Sequence, residues 1–408
     1  MFHKITCGLY IPRSDILAYF LYFYGLQILF VPILFLTGII ITFFLSSLLI
    51  TKRGKTKADY ILTTWLFVLG IHLSLFYIVQ TQQYQAWPYL LGLEIPLPLV
   101  HGPFLFLYTA ALTNQFPVRY YWVGHFIPVV IVYLSLSGFF SRPPAEKIWV
   151  YQNNGKGYEE PALYIFVTII LSGIAYIALS LYYLKKHRRN ILNLFSDTEK
   201  INLNWLYYLI IGISIIWLIV IWGDDWLIYT FVVFFILFIG YFGIKQVGIL
   251  NSDMLVKRAP TLYEDELPLE EAVSVVHTEV PKYQKSGVSK ETIEKIHVDM
   301  LKLMQTESLF RDAELTLGKL SDRLAVHPNT LSQVINSIEG KTFYDYINAL
   351  RVEAFLKALN NADNQKYTLI SLAFECGFNS KASFNRNFKK YTGFSPTEHM
   401  KNTAPANE

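Results

Sequence analysis

Long apolar runs fill the first 250 residues of the chain, whereas amphipathic repeats with three- and four-residue spacing fill the part after residue 288. The hydrocarbon core of a bilayer, about 30 Å thick, is crossed by roughly 20 apolar helical residues. Segments of about this length lie at 26–50, 60–79, 97–113, 121–140, 161–184, 205–222 and 226–244. The pattern therefore predicts seven membrane-spanning helices followed by a soluble helical region.

Lysine and arginine are distributed unevenly over the connections between these segments. Cytoplasmic loops of membrane proteins carry an excess of these two residues. Alternate connections carry ten, namely Lys52, Arg53, Lys55, Lys57, Arg119, Lys185, Lys186, Arg188, Arg189 and Lys200. The opposite side carries five, namely Lys4, Arg13, Arg142, Lys147 and Lys156. This asymmetry predicts an outside N-terminus and a cytoplasmic location for everything after Lys245.

Composition agrees with a membrane-embedded portion. The chain is 53% hydrophobic and only 16% charged, whereas soluble domains are about a quarter charged. The formal net charge of +4 is too small to identify a partner. Cys7 and Cys376 lie in unrelated segments, so we expect neither a disulfide framework nor a cysteine metal site.

Residues 251–288 differ from both flanking regions. They contain seven acidic residues, three prolines and no sustained periodicity, which predicts a cytoplasmic linker with a flexible span of roughly 35 Å. The alternative is that 269–276 docks as a helix or strand. The predicted organisation is a transmembrane sensor domain at 1–250, the linker, a soluble domain at 289–401 and a disordered tail at 402–408.

Two units with a helix, a tight turn and a second helix follow the linker. In the first unit Thr316 is predicted to cap one helix and Pro328 to open the next, because proline suits a first helical position. In the second unit Thr368 begins a helix, Gly377 allows a sharp turn, and Asn379 or Ser380 caps a helix that buries two phenylalanines.

A spacer separates the two units. Residues 343–359 predict one rigid helix about 26 Å long. A spacer of this length could hold two reading helices near the separation of successive major grooves, about 34 Å. Tandem units on a stiff spacer would read one contiguous DNA site.

Residues 289–400 resemble the C-terminal DNA-binding domain of the AraC/XylS family of bacterial transcription activators. The shared pattern consists of Ala373, Gly377, Phe378, Phe384, Arg386, Phe388, Lys389, Lys390, Gly393 and Pro396. The resemblance implies an all-α domain of about seven helices that binds promoter DNA and acts with RNA polymerase. Two positions depart from the family: Phe355 stands where alanine is usual, and Met400 where arginine is frequent.

The resemblance places the exposed faces of 329–337 and 380–390 in the DNA grooves. It implies base contacts from Asn329, Thr330, Ser332, Gln333, Asn336, Ser380, Lys381, Ser383 and Asn385. Arg386, Lys389 and Lys390 are better placed for phosphates, which position a protein without specifying sequence. The net charge over 289–401 is 15 bases minus 13 acids, or +2, so binding would depend on the local cluster from Lys381 to Lys390.

Ionisable residues within or beside the predicted spans are expensive in a membrane and often functional. His72, Glu94 and His101 are candidates for a ligand-sensing pocket that opens outward. The alternative is that they are interhelical hydrogen-bond partners. The sequence contains no phosphate-binding glycine loop and no paired-histidine metal motif, so we expect no catalysis, no metal and no cofactor.

Together these features predict an all-α protein with a seven-helix transmembrane bundle and a soluble domain that contains two helix-turn-helix units. The expected function is a one-component transcription regulator in the bacterial inner membrane, a homodimer controlled by an extracytoplasmic or membrane-borne ligand. The alternative is a membrane receptor or transporter whose tail docks to a protein partner rather than to DNA.

Overall fold

The computed structural model describes residues 13–117, 120–223, 225–247, 289–364 and 366–403, and every regular element within these ranges is helical. They fall into two units, of which the first combines Met1–Leu184 with Asn204–Gly248. The second combines Lys185–Leu203 with Ile249–Glu408. The predicted linker at 251–288 and the last five residues of the predicted tail lie outside the described residues.

The apolar part of the chain contains nine of the sixteen described α-helices. They are α1 (Arg13–Thr51), α2 (Lys57–Gln80), α3 (Pro98–Leu112), α4 (Ile127–Ser135), α5 (Ser137–Phe140), α6 (Pro144–Gln152), α7 (Glu159–Leu194), α8 (Asn204–Trp222) and α9 (Asp225–Val247). The last ten residues of α7 belong to the second unit.

Each of the seven predicted spans coincides with helix, but the helices differ in length. Four described helices are long and apolar enough to cross a membrane, at Pro32–Thr51, Lys57–Gln80, Glu159–Leu194 and Asn204–Trp222. Three shorter apolar helices lie at Pro98–Leu112, Tyr121–Ser135 and Leu227–Phe242. The fourth predicted span is not one continuous helix. A 3₁₀ helix at Tyr121–Phe126 precedes α4, and the helix is interrupted again between the end of α4 and the start of α5.

A network of polar groups fixes the turn between α1 and α2. Thr56 caps α2 by accepting from the Asp59 N–H, and Asp59 accepts in return from the Thr56 N–H at 2.7 Å. The Asp59 side chain is completely buried and pairs with Lys52 at 2.8 Å. Burying a carboxylate is costly unless it is paired and hydrogen-bonded, so this capping box and ion pair make the tight α1–α2 connection stable.

The C-terminal part of the chain contains the other seven described α-helices. They are α10 (Lys290–Glu307), α11 (Leu317–Leu324), α12 (Pro328–Val334), α13 (Phe343–Leu359), α14 (Leu369–Glu375), α15 (Lys381–Thr392) and α16 (Pro396–Thr403). The predicted caps are confirmed at Thr316 and Thr368, and α15 is capped by Ser380 rather than Asn379. Ser289 caps α10. The predicted spacer helix at 343–359 is α13.

Two apolar clusters hold these helices together. The first joins α10, α11 and α12 to the start of α13 through residues such as Met300, Leu320 and Leu331. The second joins the end of α13 to α14 and α15. Because α13 contributes to both clusters, the spacer helix connects the two helix-turn-helix units through their cores.

The packing of Phe355 shows how the domain accommodates a large side chain at a position where the AraC/XylS pattern usually has alanine. Its ring is 1% exposed and lies 4.7 Å from the ring of Phe384 and 5.6 Å from that of Phe388, measured between centroids. Ring pairs at such distances are favourable beyond the area they bury. The spacer helix therefore fills the second core directly.

Replacement of Phe355 by alanine should destabilise the second helix-turn-helix unit. Truncation of a buried phenylalanine costs about 3–5 kcal/mol, so hydrogen exchange of the α13 and α15 amides in the full-length protein should quicken by more than tenfold. Phe374, which is 49% exposed on α14, provides the control, since Phe374→Ala should change exchange little. Equal exchange in both variants would contradict the assigned core.

Candidate functional site

The first candidate reading helix is α12, held in place by its buried face. His327 caps it by accepting from the Asn329 N–H at 3.2 Å, and Pro328 occupies the first turn. Leu331 and Val334 are fully buried, so the opposite face is fixed towards solvent. Residues 335–339 continue as one π-helical turn that ends at Gly340, which has a positive φ of 63°.

The predicted base contacts of this unit lie on the outward side of α12 and its π-helical extension. Asn329 is exposed, and the others are half-buried: Thr330, Ser332, Gln333 and Asn336. Asn336 Nδ2 donates to Ser332 Oγ at 3.3 Å. The arrangement offers amide and hydroxyl groups, which can pair with base edges in a major groove.

The second candidate reading helix is α15. Ser380 caps it by accepting from the Ser383 N–H at 3.0 Å, while Phe384 and Phe388 are completely buried. Lys381 and Asn385, two of the predicted base contacts, are exposed.

Ser383 differs from the expectation that it faces a groove. Its side chain is 3% exposed, because it lies on the inward face with Asn387, whose Nδ2 donates to Ser383 O at 2.9 Å. The same Nδ2 donates to the Tyr344 hydroxyl at 2.7 Å. Ser383 and Asn387 are therefore part of the polar packing between α15 and α13.

The three predicted phosphate contacts are exposed on α15. Lys390 Nζ pairs with Asp345 at 2.7 Å, although 63% of its side chain remains exposed. Arg386 lies 3.5 Å from Glu199, and 55% of its side chain is exposed. With Lys389 these groups form a cationic surface near the reading helix, suited to phosphate oxygens.

Gly377 forms the turn of the second unit for two separate reasons. Its φ of 96° is a conformation that side chains disfavour. In addition, a Cβ at this position would lie 2.7 Å from the carbonyl oxygen of Phe310. The sequence predicted the turn, but only the fold shows that the loop after α10 packs against this glycine.

Arg351 is a structural residue that sequence reasoning did not identify. Its side chain is 1% exposed, and it donates to Phe310 O at 2.7 Å, to Asp312 O at 2.9 Å and to Ser196 Oγ at 3.0 Å. Burial lowers the pKa of Arg351 to about 10, so the guanidinium is still charged at neutral pH. Its position between buried residues of the spacer helix was the one sequence feature that could have indicated a buried arginine.

A cavity of about 560 Å³ lies within the first unit and is lined mainly by apolar side chains. All three predicted sensing residues line it, together with Trp65, Tyr151 and Trp217. Glu94 is 7% exposed, and its carboxylate accepts from the Gly92 N–H at 3.0 Å and from the Tyr151 hydroxyl. No described lysine, arginine or histidine forms an ion pair with it.

His72 and His101 are hydrogen-bonded to one another as well as lining the cavity. Trp65 Nε1 donates to His101 Nδ1 at 3.2 Å, so in neutral rings His101 carries its proton on Nε2. That nitrogen lies 2.9 Å from His72 Nδ1 and donates to it. His72 and His101 are therefore interhelical hydrogen-bond partners and also line the cavity, so the two roles considered for them, hydrogen bonding between helices and lining a pocket, are compatible.

Comparison with known proteins locates the similarity in the C-terminal part of the chain. A family described as a helix-turn-helix domain matches residues 320–402. The HTH-type transcriptional regulator Rv1931c of Mycobacterium tuberculosis is 27% identical over 85 residues, which span 21% of this chain and about a third, 32%, of that protein. A solved structure of a Listeria innocua protein of unknown function is 28% identical, covers 26% of this chain and 95% of its own, and has a TM-score of 0.23. The C-terminal part of the chain is therefore a helix-turn-helix domain, which implies DNA binding.

Lys389→Ala should weaken DNA binding almost equally for all sequences. Each lost phosphate contact reduces the slope of log affinity against log salt concentration by about 0.9. Lys357, exposed in the last turn of α13, is the control, because Lys357→Ala removes the same charge outside the reading helices. Titration of full-length protein with duplex DNA at four salt concentrations gives both slopes. An unchanged slope for Lys389→Ala would contradict its assignment.

Proposed function

We propose that this protein is a membrane-embedded one-component transcription regulator. Its cytoplasmic domain binds a specific DNA site, and a signal received by the apolar helices controls that binding. One observation carries the proposal: a single chain joins a helix-turn-helix domain at 320–402 to four helices that are long and apolar enough to cross a membrane.

Sequence-specific DNA binding is supported by the surface of the two reading helices. Both α12 and α15 are fixed by buried apolar residues. The outward side of α12 presents amides and hydroxyls, and that of α15 presents the Asn385 amide together with cations. Polar groups at base edges provide sequence selection, whereas the cations provide affinity and orientation. Promoter DNA and RNA polymerase are the partners that this role requires.

The membrane topology we propose has seven spans, with the N-terminus outside and the DNA-binding domain in the cytoplasm. The four long apolar helices and the three shorter ones at the remaining predicted positions support this number. The lysine and arginine asymmetry supports the orientation. An odd number of spans places the helix-turn-helix domain in the compartment that contains DNA.

The proposed signal is a small molecule that enters the cavity of the first unit. Apolar walls suit an apolar body, and the Glu94 carboxylate suits a hydrogen-bond donor such as an amine. A buried carboxylate without a cationic partner is costly, so a ligand that supplies one gains affinity. Binding would then alter the packing of the helices or the pairing of two protomers, and thereby how the domains engage DNA.

Catalysis has no part in this proposal. Cys376, the cysteine that precedes the second reading helix, is 2% exposed. Burial raises the pKa of the Cys376 thiol, and a thiol rather than a thiolate is a poor nucleophile.

DNA selection tests the central claim. Full-length protein in lipid nanodiscs is mixed with a library of random 30-base-pair duplexes, and the bound duplexes are sequenced over successive rounds. We expect enrichment of one contiguous motif, because both reading helices belong to one spacer-linked domain. Enrichment no greater than the input library would favour the alternative function, in which the tail docks to a protein.

Ligand binding tests the sensor. A medium-chain alkylamine should quench the fluorescence of Trp65 and Trp217 saturably, and Glu94→Gln should weaken the amine at least fivefold, since hydrogen bonds to charged groups contribute about 1.5–3 kcal/mol. Glu146→Gln is the matched control, because Glu146 is half exposed and pairs with Arg142 outside the cavity lining. Equal amine affinity in both variants, or equal binding of the matching fatty acid, would contradict the proposed ligand class.

A further inference from the structure

The connection between α7 and α8 contains a segment that packs onto the DNA-binding domain. We call Phe195–Glu199 the docking segment. Phe195 forms an isolated antiparallel bridge with Thr316, the residue that caps α11. Ser196 is 1% exposed, and its N–H and Oγ both donate to Leu315 O, at 3.3 and 2.7 Å. The segment is thus paired with the first helix-turn-helix unit through backbone contacts.

The spacer helix α13 also holds the docking segment. Asn348 Nδ2 donates to Ser196 O at 2.9 Å, and Arg351 Nη2 donates to Ser196 Oγ at 3.0 Å. Asn348 and Arg351 are both 1% exposed. Hydrogen bonds from buried polar groups are costly to leave unmade, so this contact anchors the segment firmly.

Two acidic side chains of the docking segment reach the second reading helix. Asp197 Oδ2 accepts from Asn379 Nδ2 at 2.9 Å. Glu199 Oε2 accepts from Ser380 Oγ at 2.5 Å, and its Oε1 lies 3.5 Å from Arg386 Nη2. Glu199 therefore contacts the N-cap residue of α15, Ser380, and one of the exposed cations of α15, Arg386, at the same time.

A DNA phosphate would use the same groups. Helix N-termini bind anions because their N–H groups and dipole favour negative charge, and hydroxyls and arginines are frequent phosphate contacts. The single hydroxyl proton of Ser380 cannot be donated to Glu199 and to a phosphate at once, and the Glu199 carboxylate would repel a phosphate that approaches Arg386. We propose that the docking segment and DNA compete for the second reading helix, so that the docked protein is the weakly binding state. This inference rests on the proposed DNA-binding function.

The contact of the docking segment is weak at its acidic end, Glu199, and strong at its buried end, Ser196. DNA can therefore compete for the acidic end without displacing the whole segment. Glu199 is 26% exposed and Arg386 is 55% exposed, and exposed ion pairs are weak and screened by salt. Ser196 is buried among hydrogen-bond partners. DNA can therefore displace the acidic end while the anchor persists, and a signal that strains the anchor frees the whole reading helix.

The location of the segment shows where such a signal would act. It lies between α7 and α8, which are both among the helices long and apolar enough to cross a membrane. A change in the position of either helix end would move the segment directly. Control of this kind acts through the α7–α8 connection and does not require an ordered structure in 251–288.

The first test removes the competing charge. Glu199→Gln in the full-length protein should bind the duplex enriched by wild type about three- to tenfold more tightly at low salt, and the difference should shrink as salt rises. Glu291→Gln, in the exposed first turn of α10, removes the same charge away from the contact and should bind like wild type. Equal affinities of wild type and Glu199→Gln would overturn the competition.

The second test locks the docked state. Asp197→Cys and Asn379→Cys are combined in a Cys7→Ala background, where Cys376 is buried, and joined with a short cleavable reagent that bridges two thiols. Cross-linked protein should lose at least tenfold in affinity for the selected duplex and regain it after cleavage. Efficient cross-linking with unchanged DNA affinity would overturn the competition and leave the DNA-binding function intact. Failure of wild type to enrich any duplex would overturn both.

Discussion

The burial of one arginine constrains the whole DNA-binding domain. The guanidinium of Arg351 is shielded from water, and a charge in such a place requires hydrogen-bond acceptors in several directions. Besides Asn348 on the same helix, the acceptors come from two separate parts of the chain, the loop after α10 at Phe310 and Asp312, and the docking segment at Ser196. Each of these parts must be in position for the charge to be satisfied, so their placement is coupled.

This coupling extends to the second helix-turn-helix unit. The same loop after α10 lies against Gly377, where a Cβ would meet the Phe310 carbonyl. The ring of Phe378 packs 5.9 Å from the Arg351 guanidinium. The turn that aims α15 is therefore built against the backbone that satisfies Arg351, and the position of the second reading helix depends on the spacer helix both through this contact and through the Phe355 core.

Buried polar groups in the first unit also require hydrogen-bond or ionic partners, and not all of them have a complete set. His72 and His101 satisfy one another and Trp65 in a chain of hydrogen bonds, and Asp59 satisfies both a capping box and Lys52. Glu94 accepts two neutral hydrogen bonds but has no cationic partner among the described residues. Where partners are complete, a buried polar group fixes the fold. Glu94, which lacks a cationic partner beside a cavity, is the group with which the proposed amine would pair.

The sequence by itself determined the elements that depend on local physics. Amphipathic periodicity, proline and hydroxyl caps predicted α11 to α15, which include the spacer helix α13, because each is set by neighbouring residues. Apolar length located the helices of the first unit, and the spaced pattern from Ala373 to Pro396 indicated the DNA-binding domain. Only the tertiary structure decided that Ser383 is buried, that Arg351 binds two separate parts of the chain through hydrogen bonds, and that Glu199 contacts Ser380 and Arg386 of α15. These depend on contacts between residues more than 30 positions apart, 181 positions in the case of Glu199 and Ser380, and no local pattern carries such pairings.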